Sequence, residues 1–506
     1  MIIQELVKNG AKTPEDLNKA KRLVSKREKS PCPDNISLLK NYHELVKKRK
    51  IKKNLKIEIL FRTRPVRSLS GIVNISVLTK SYACPGRCIF CPTEKNLPKS
   101  YLSGEPAVER AKKLGFDPYL QTKKRIEMLE SEGHPTDKIE LRIVGGTWSY
   151  YPKAYREWFI KRCFEACNGR TSKNFKEAQR INEKAKHRIV GLSIETRPDF
   201  IDEREIKHLR DLGVTMVELG IQSIYDDVLK RNSRGHGRKE IILATKMLKD
   251  YGFKILYQMM PNLIGSTPKR DKMMFKELFQ NPDFQPDFLK IYPCALIRGT
   301  VLYNLWKKKE YKPYGEKQLL GLIKDIKKII PSYVRIQRIT RDIPSHSIVS
   351  GAARITNLRQ MLAEDMKKEK WQCKCIRCRE VKGDYDLKEK LSLSRKDYKA
   401  SGGKEIFLTF ENKLKTKLCS LLRLRITSDG KAIIREIHTF GQLQTIGKQK
   451  EKSPQHKGLG RKLMEEAEKI VKKEFKIKKL AVISGVGVRN YYRKLGYRME
   501  DTYMVK

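Results

Sequence analysis

Cys84, Cys88 and Cys91 sit in CPGRCIFC, three of the chain's eleven cysteines inside one short stretch. A structural zinc site takes four ligands, and a redox dithiol takes two. Three thiolates on one tight loop suit a metal centre that keeps a coordination position open for a second molecule. Soft thiolates favour iron–sulfur clusters and zinc alike. Phe90 before the last cysteine, and the loop's place directly after the apolar run GIVNISVL, favour a cluster over a half-zinc site completed elsewhere. A second triad, Cys373, Cys375 and Cys378 in WQCKCIRC, reads as a zinc site in a reduced compartment. Its fourth ligand is not local. His346 in DIPSHSIVSG is the candidate, with a distant cysteine or another histidine as alternatives. Cys163 and Cys167, four apart in a helical stretch, read as packing residues, and Cys32, Cys294 and Cys419 carry no metal pattern.

Polar groups recur at the ends of apolar runs. Gly145, Gly146 and Thr147 close the run LRIV, and a glycine pair lets a backbone approach a ligand closely. Glu195 lies in GLSIETRPD, Glu218 and Gln222 lie in ELGIQS, and Lys290 lies in LKIYP. Each alone could be a helix cap, a satisfied core group or a surface lysine; together they outline a pocket beside the cysteine loop. Near the other end of the chain, Gln455, Gly458, Leu459, Gly460 and Arg461 run into the helical KLMEEAEKI. Glycines at a helix start leave backbone N–H groups free to cradle a pyrophosphate.

These residues need elements to position them. The chain has 506 residues, enough for two to four domains. Residues 1–71 read as short helices with a basic tail in which Arg62, Arg64 and Arg67 gather around Pro65 as a nucleic-acid arm. Residues 72–345 alternate apolar strands and amphipathic helices, with six countable strands, which predicts a parallel α/β barrel whose ligand lies at the carboxyl ends of its strands. A connector spans 346–395 and a small α/β domain 396–506. The charge is lopsided, 110 Lys+Arg against 58 Asp+Glu for a net +52, which favours a polyanionic partner. A Lys- and Glu-rich heat-adapted surface explains the many charges but not their sign. No apolar run is long enough to span a bilayer and the start lacks a signal peptide's order, so the expected setting is cytoplasmic, without membrane.

The spacing Cys84-x3-Cys88-x2-Cys91 resembles the radical S-adenosylmethionine (SAM) superfamily, and Gln455-x2-Gly458-x-Gly460 resembles the GCN5-related (GNAT) acetyltransferases. Both in one chain, with phrases such as VGGTW, IETRPDF, ELGIQSIYDDV, NSRGHGRKE, KIYPCALIRGT, RIQRITRDIP, REIHTFG and GVGVRNYYRKLGY, resemble the Elongator protein 3 family over nearly the whole length. The resemblance implies an α/β multidomain fold: a partial TIM-type (βα) barrel, a zinc-binding connector and a GNAT domain. It implies a 4Fe–4S cluster on Cys84, Cys88 and Cys91, and SAM held near Gly145, Gly146, Thr147, Glu195, Glu218 and Gln222. It implies acetyl-CoA held by Lys138, by Glu436, Ile437, His438 and Thr439 along the pantetheine arm, and by Gln455 and Gly458 to Arg461, with Tyr491 and Tyr492 at the thioester. The implied reaction takes a hydrogen from the acetyl methyl with a 5′-deoxyadenosyl radical and forms 5-carboxymethyluridine at the wobble uridine. Partners implied are the tRNA anticodon stem-loop, an electron donor, and a second copy or other Elongator-type subunits. The competing enzyme reading is a protein lysine acetyltransferase whose cluster is structural; a nucleic-acid-binding module without turnover needs neither cofactor motif.

Overall fold

The computed structural model describes residues 3, 6, 13–382, 389–441 and 458–506. Seven parallel strands follow one another in sheet order: β1 Val73–Leu78, β2 Lys138–Val144, β3 Arg188–Thr196, β4 Met216–Gln222, β5 Lys254–Met259, β6 Phe288–Ile291 and β7 Arg335–Arg338. β7 pairs only with β6, so the sheet curls into an open half-barrel. Alternation along β2 shows how the wall is built. Ile139, Leu141 and Ile143 are buried in the outer core, while Lys138, Glu140, Arg142 and Val144 alternate with them, half-buried on the inner face. The seventh strand exceeds the six expected. RIQR is four residues with three polar side chains, too short for a periodic signal, and its pairing Phe288↔Arg335 and Leu289↔Ile336 is what makes it a strand.

The amino-terminal helices Pro14–Glu28, Asn35–Lys47 and Leu55–Phe61 enclose a small core of Leu17, Val24, Leu39, Tyr42 and Phe61. Their caps are written locally: Thr13 and Asp16 form a capping box, and Asp34 accepts from Ile36 and Ser37. Of the three arginines read as part of a nucleic-acid arm, two are engaged within the protein. Arg62 is buried and donates from Nε to Gly133 O at 2.8 Å, and Arg67 pairs with Glu132, leaving Arg64 as the exposed one of the three.

A second seven-stranded sheet is mixed, in the order β13-β14-β12-β11-β10-β9-β8, from β8 Leu391–Ala400, β9 Gly403–Asn412, β10 Leu418–Ile426, β11 Ala432–Thr439, β12 Leu480–Val482, β13 Arg498–Glu500 and β14 Tyr503–Val505. β8 pairs with β9 from Leu391↔Asn412 to Ala400↔Gly403, so the boundary drawn at 395/396 falls inside a strand. The helix Leu459–Lys473 covers this sheet with Leu463, Met464, Ala467 and Ile470. No described helix is long and apolar enough to cross a membrane.

The second sheet seats on the amino-terminal ends of the barrel strands. Asp287, just before β6, ion-pairs with Arg435 of β11, and Asp250, before β5, pairs with Arg425 of β10 at 2.6 Å. Gly485 abuts β3 so closely that a Cβ would lie 2.1 Å from Val190 O. Because that obstacle is backbone, Gly485→Ala is expected to cost about 1–3 kcal/mol by wedging the two units apart. Urea denaturation checks this; an unchanged midpoint would mean the junction yields freely.

Candidate active site at the carboxyl ends of the barrel

The cysteine loop leaves β1 and covers the carboxyl ends of the strands, where one pocket is lined by Cys84, Cys88, Cys91, Gly146, Thr147, Glu195, Gln222 and Lys290 among others. Cys84 and Cys88 converge over Gly86. A Cβ there would lie 3.7 Å from Cys84 Sγ and 3.5 Å from Cys88 Sγ, ordinary contact distances, but 2.6 Å from Arg197 Nη1, so the group that glycine accommodates at this point of the loop is the Arg197 guanidinium. Burial, and then the neighbouring Cys88, push the Cys91 thiol up to about 11. A positive centre bound at the site would reverse that preference.

The expected cosubstrate residues divide. Gly146 and Thr147 line the pocket, whereas Gly145 packs backward: its φ is +141°, and a Cβ on it would meet Thr79 Oγ1 at 1.9 Å. Gln222 ends β4 with φ 70°, and its Oε1 is buried without a partner. Arg197 Nη1, also on the pocket wall, is a buried donor without a partner. An orphan acceptor and an orphan donor in one pocket fit a ligand carrying both an amino and a carboxylate group, as SAM does. Glu218 lies behind the wall, 1 % exposed and ion-paired to Arg142 and Lys290. Burial alone would raise its carboxyl; Arg142, then Lys290, outweigh it and hold the group down to about 2.

Lys290 is no surface lysine. It is 4 % exposed, with Nζ on Glu218 and 3.4 Å from Glu195 Oε1. Burial opposes its charge, and Glu218 more than restores it, so the ammonium's pKa is raised. Glu195 also accepts from Tyr101 Oη at 2.8 Å and Gln258 Nε2 at 3.2 Å. Tyr101, Arg142, Arg197, Arg234, Gln258 and Arg341 of this wall escaped the sequence reading. Arg197, Arg234 and Arg341 lie within the family-like phrases IETRPDF, NSRGHGRKE and RIQRITRDIP; the others had no local signal.

A second candidate site lies in the mixed sheet. β11 pairs with β12 only over Ala432–Ile434, so Glu436 to Thr439 have no described strand partner on that side. Into this splay points the start of the helix Leu459–Lys473. A Cβ on Gly460 would lie 3.3 Å from Tyr491 Oη and 3.7 Å from Ile437 Cδ1 and Thr439 Oγ1, so four expected residues meet. Gly458 caps the helix at φ 67° with open space beside it. Leu459 is buried and Arg461 pairs with Glu465, so at this helix start the groups able to receive an anion are backbone N–H groups. The side chains of Glu436 and His438 are spent on Arg423 and Ser70 O. Tyr492, expected at the thioester, is 4 % exposed in the domain core against Tyr497, whereas Tyr491 is 38 % exposed. Gln455 lies outside the described residues.

Lys138 opens β2 at the barrel's opposite end from the cysteines. It pairs with Arg188, whose stretch packs against Gly485 and Gly487 of the second sheet. Burial lowers its pKa.

The sulfurs of Cys373, Cys375 and Cys378 lie within 4.8 Å of one another, with no fourth ligand grouped among the described residues. His346 is exposed on the turn Ser345–Ser347 and does not join them. Closeness in sequence does not place His346 near the three sulfurs, because its turn and the cysteine segment are separated by the helix Leu358–Lys368. Hydrogen bonds from Cys373 and Cys375, and Lys327 Nζ at 3.4 Å, pull the Cys378 thiol down. Two thiols and an ammonium thus already favour a thiolate at Cys378, as metal binding requires.

Residues 78–277 match the family model described as Radical SAM superfamily, and 286–368 match its Radical_SAM C-terminal domain. The chain is 48% identical to the tRNA uridine(34) acetyltransferase of Methanocaldococcus infernus, over 94% of this chain and 91% of that one. It is 40% identical to the Elongator complex protein 3 of Homo sapiens, over 88% and 86%. The solved archaeal Methanocaldococcus infernus Elp3 with N-terminus deletion (1–46) superposes with a TM-score of 0.76 at 45% identity, covering 87% of this chain and 100% of that one. With its three cysteines gathered at the carboxyl ends of a parallel half-barrel and relatives matching along nearly its full length, the chain belongs to the Elongator complex protein 3 family of radical SAM proteins.

Proposed function

We propose that this protein modifies the wobble uridine, position 34, of tRNA, using acetyl-CoA as carbon source to form 5-carboxymethyluridine. The observation that carries the reading is the coexistence of two sites in one body: a three-cysteine pocket with orphan polar groups, and a splayed strand facing a glycine-started helix. When bound, the cluster and SAM supply a 5′-deoxyadenosyl radical able to take a hydrogen from the acetyl methyl. The protein's residues do the rest. Gln222 Oε1 and Arg197 Nη1 orient SAM, and the ion-paired Glu195, Lys290 and Glu218 give the pocket a fixed charge pattern. Backbone at Glu436 to Thr439 carries the pantetheine arm, Gly458 to Arg461 the pyrophosphate, and Tyr491 closes the arm's end. β2 has seven residues, so the two ends of the barrel lie roughly 20 Å apart. For the acetyl methyl to meet that radical, the intact thioester end of acetyl-CoA would have to reach across that span, along the inner wall where Lys138, Glu140 and Arg142 succeed one another. The +52 charge suits RNA as acceptor. The setting is cytoplasmic, with a one-electron donor protein as partner.

The test is anaerobic reconstitution with SAM, dithionite, acetyl-CoA and unmodified tRNA, followed by mass spectrometry of the digested nucleosides. Carboxymethyluridine, absent with Cys88→Ala, is expected. Acetyl-lysine as the sole product would replace this reading by protein acetylation with a structural cluster.

The Cys373, Cys375 and Cys378 group holds zinc that ties the connector to the barrel. The connector already bonds across the joint, with Ile376 N on Val334 O at 3.0 Å and Arg335 paired to Glu380. Cys375→Ser should reduce bound zinc from about one per chain to near none by elemental analysis. Retention of full zinc would move the site elsewhere.

A further inference from the structure

Two buried guanidinium groups flank the loop that carries the cysteines, and they differ in how their charge is balanced. Arg197 forks onto Asp199, with Nε to Oδ1 at 2.9 Å and Nη2 to Oδ2 at 2.7 Å, so its charge is matched locally. Asp199 also faces His236, with Nδ1 3.5 Å from Oδ1. Arg234 is 6 % exposed and has no carboxylate partner among the described residues. Its Nη1 donates to Cys88 Sγ at 3.0 Å, and its Nη2 donates to Gly220 O in β4. Its Nε is buried without a partner. The carbonyl tether is firm, because β4 breaks register between Leu219 and Gln222 and frees the Gly220 carbonyl toward the pocket. The loop is also tied to the same segment by Ile89 N on Asn232 O at 3.4 Å. The guanidinium is thus a fixed, unneutralised positive donor against one sulfur of the triad.

We propose that Arg234 is a positioning residue that raises the reduction potential of the cluster by donating to the Cys88 sulfur. The inference rests on the reading that Cys84, Cys88 and Cys91 hold a 4Fe–4S cluster. Adding an electron spreads negative charge over the irons and their sulfur ligands. A donor N–H and a full positive charge, held in a low-dielectric wall, stabilise that reduced form more than the oxidised one. Arg197, neutralised by Asp199, exerts less of this effect, which assigns the dominant share to Arg234. The electron itself comes from an external one-electron donor.

The experiment is an electron-paramagnetic-resonance redox titration of the anaerobically reconstituted full chain. Arg234→Gln is expected to bind as much iron as wild type. Its reduced-to-oxidised ratio at a fixed ambient potential should fall about tenfold, or about 59 mV for a one-electron couple. Arg234→Lys keeps the charge but not the two-armed reach, and should fall between the two. An Arg234→Gln cluster with the wild-type ratio overturns the proposal. A second measurement needs no variant: in protein labelled with 15N-arginine, pulsed resonance of the reduced wild-type cluster should reveal coupling to arginine nitrogen. Absence of that coupling overturns the proposal even where the variant fails to load. Wild-type protein that holds no iron–sulfur cluster would instead overturn the functional reading on which it rests.

Discussion

Lys290→Met abolishes formation of the modified uridine and lowers stability by about 3–5 kcal/mol, the cost of breaking a buried ion pair from one side. The ammonium is the shared cation of Glu218 and Glu195, which stand on adjacent strands with Glu195 and Glu218 in register. Methionine fills the stem but leaves two carboxylates facing across the inner wall. Glu218 keeps Arg142, while Glu195 keeps only the neutral Tyr101 and Gln258. The pocket wall that orients SAM then loses its fixed geometry. The pH dependence has a definite sign. The folded-state pKa of Glu218, about 2, lies below the unfolded value of about 4.3. Its stabilisation is therefore present above the unfolded value and is lost as pH falls through the folded one. Removing Lys290 raises the folded pKa, so the gap between wild type and variant narrows between neutral pH and about pH 3. Urea denaturation at both pH values, with nucleoside analysis at neutral pH, checks the prediction. Wild-type product would show that Lys290 is a bystander to the chemistry, and a gap that does not change with pH would show that its stabilisation does not come from the ion pair with Glu218.

Asp287→Asn uncouples the two sheets. Asp287 is fully buried, bonded from Oδ1 to Arg435 Nη1 at 3.0 Å and from Oδ2 to Ile255 N at 2.9 Å, with Arg423 Nη1 at 3.5 Å. Around it the barrel and the second sheet pool Lys249, Arg423, Arg425 and Arg435 against Asp250, Asp287, Glu405 and Glu436. Positive and negative groups balance, and Arg435 pulls the Asp287 carboxyl well below the ordinary carboxylate range despite burial. Asparagine keeps the shape and removes one charge; Arg435 keeps Glu405 and Arg423 keeps Glu436, but the buried network is left with one positive charge in excess, at about 3–5 kcal/mol. Because the cost falls on the junction, a single urea transition should split into two. Fluorescence and circular dichroism that still coincide at the wild-type midpoint would show that the remaining junction contacts, such as Asp250 on Arg425 and Val486 and Ile483 against the main core, hold the units together without Asp287.

Much of the chemistry was legible because it is local. Three thiols on one loop can be read as candidate ligands without tertiary information, and a glycine-started amphipathic helix as a candidate cradle. The outward faces of the barrel strands announce themselves by alternation, as in β2. The limits appear wherever a partner is remote in sequence. His346 did not reach the second cysteine triad, Arg62 and Arg67 docked on Gly133 and Glu132, and β7 emerged only through its pairing.

What the sequence by itself determined is the kind of candidate chemistry: three cysteines at radical SAM spacing, a glycine-started amphipathic helix, an excess of positive charge, and alternating strands and helices. Those follow from residue type and short spacing, which the chain carries with it into any fold. Only the tertiary structure decided that the two sites lie at opposite ends of one barrel, that Lys290 is a buried counter-ion, and that Arg234 touches Cys88. Such pairings depend on strand register and on the docking of one sheet against another. They are set by the sum of many weak burial terms across the whole chain rather than by any one segment.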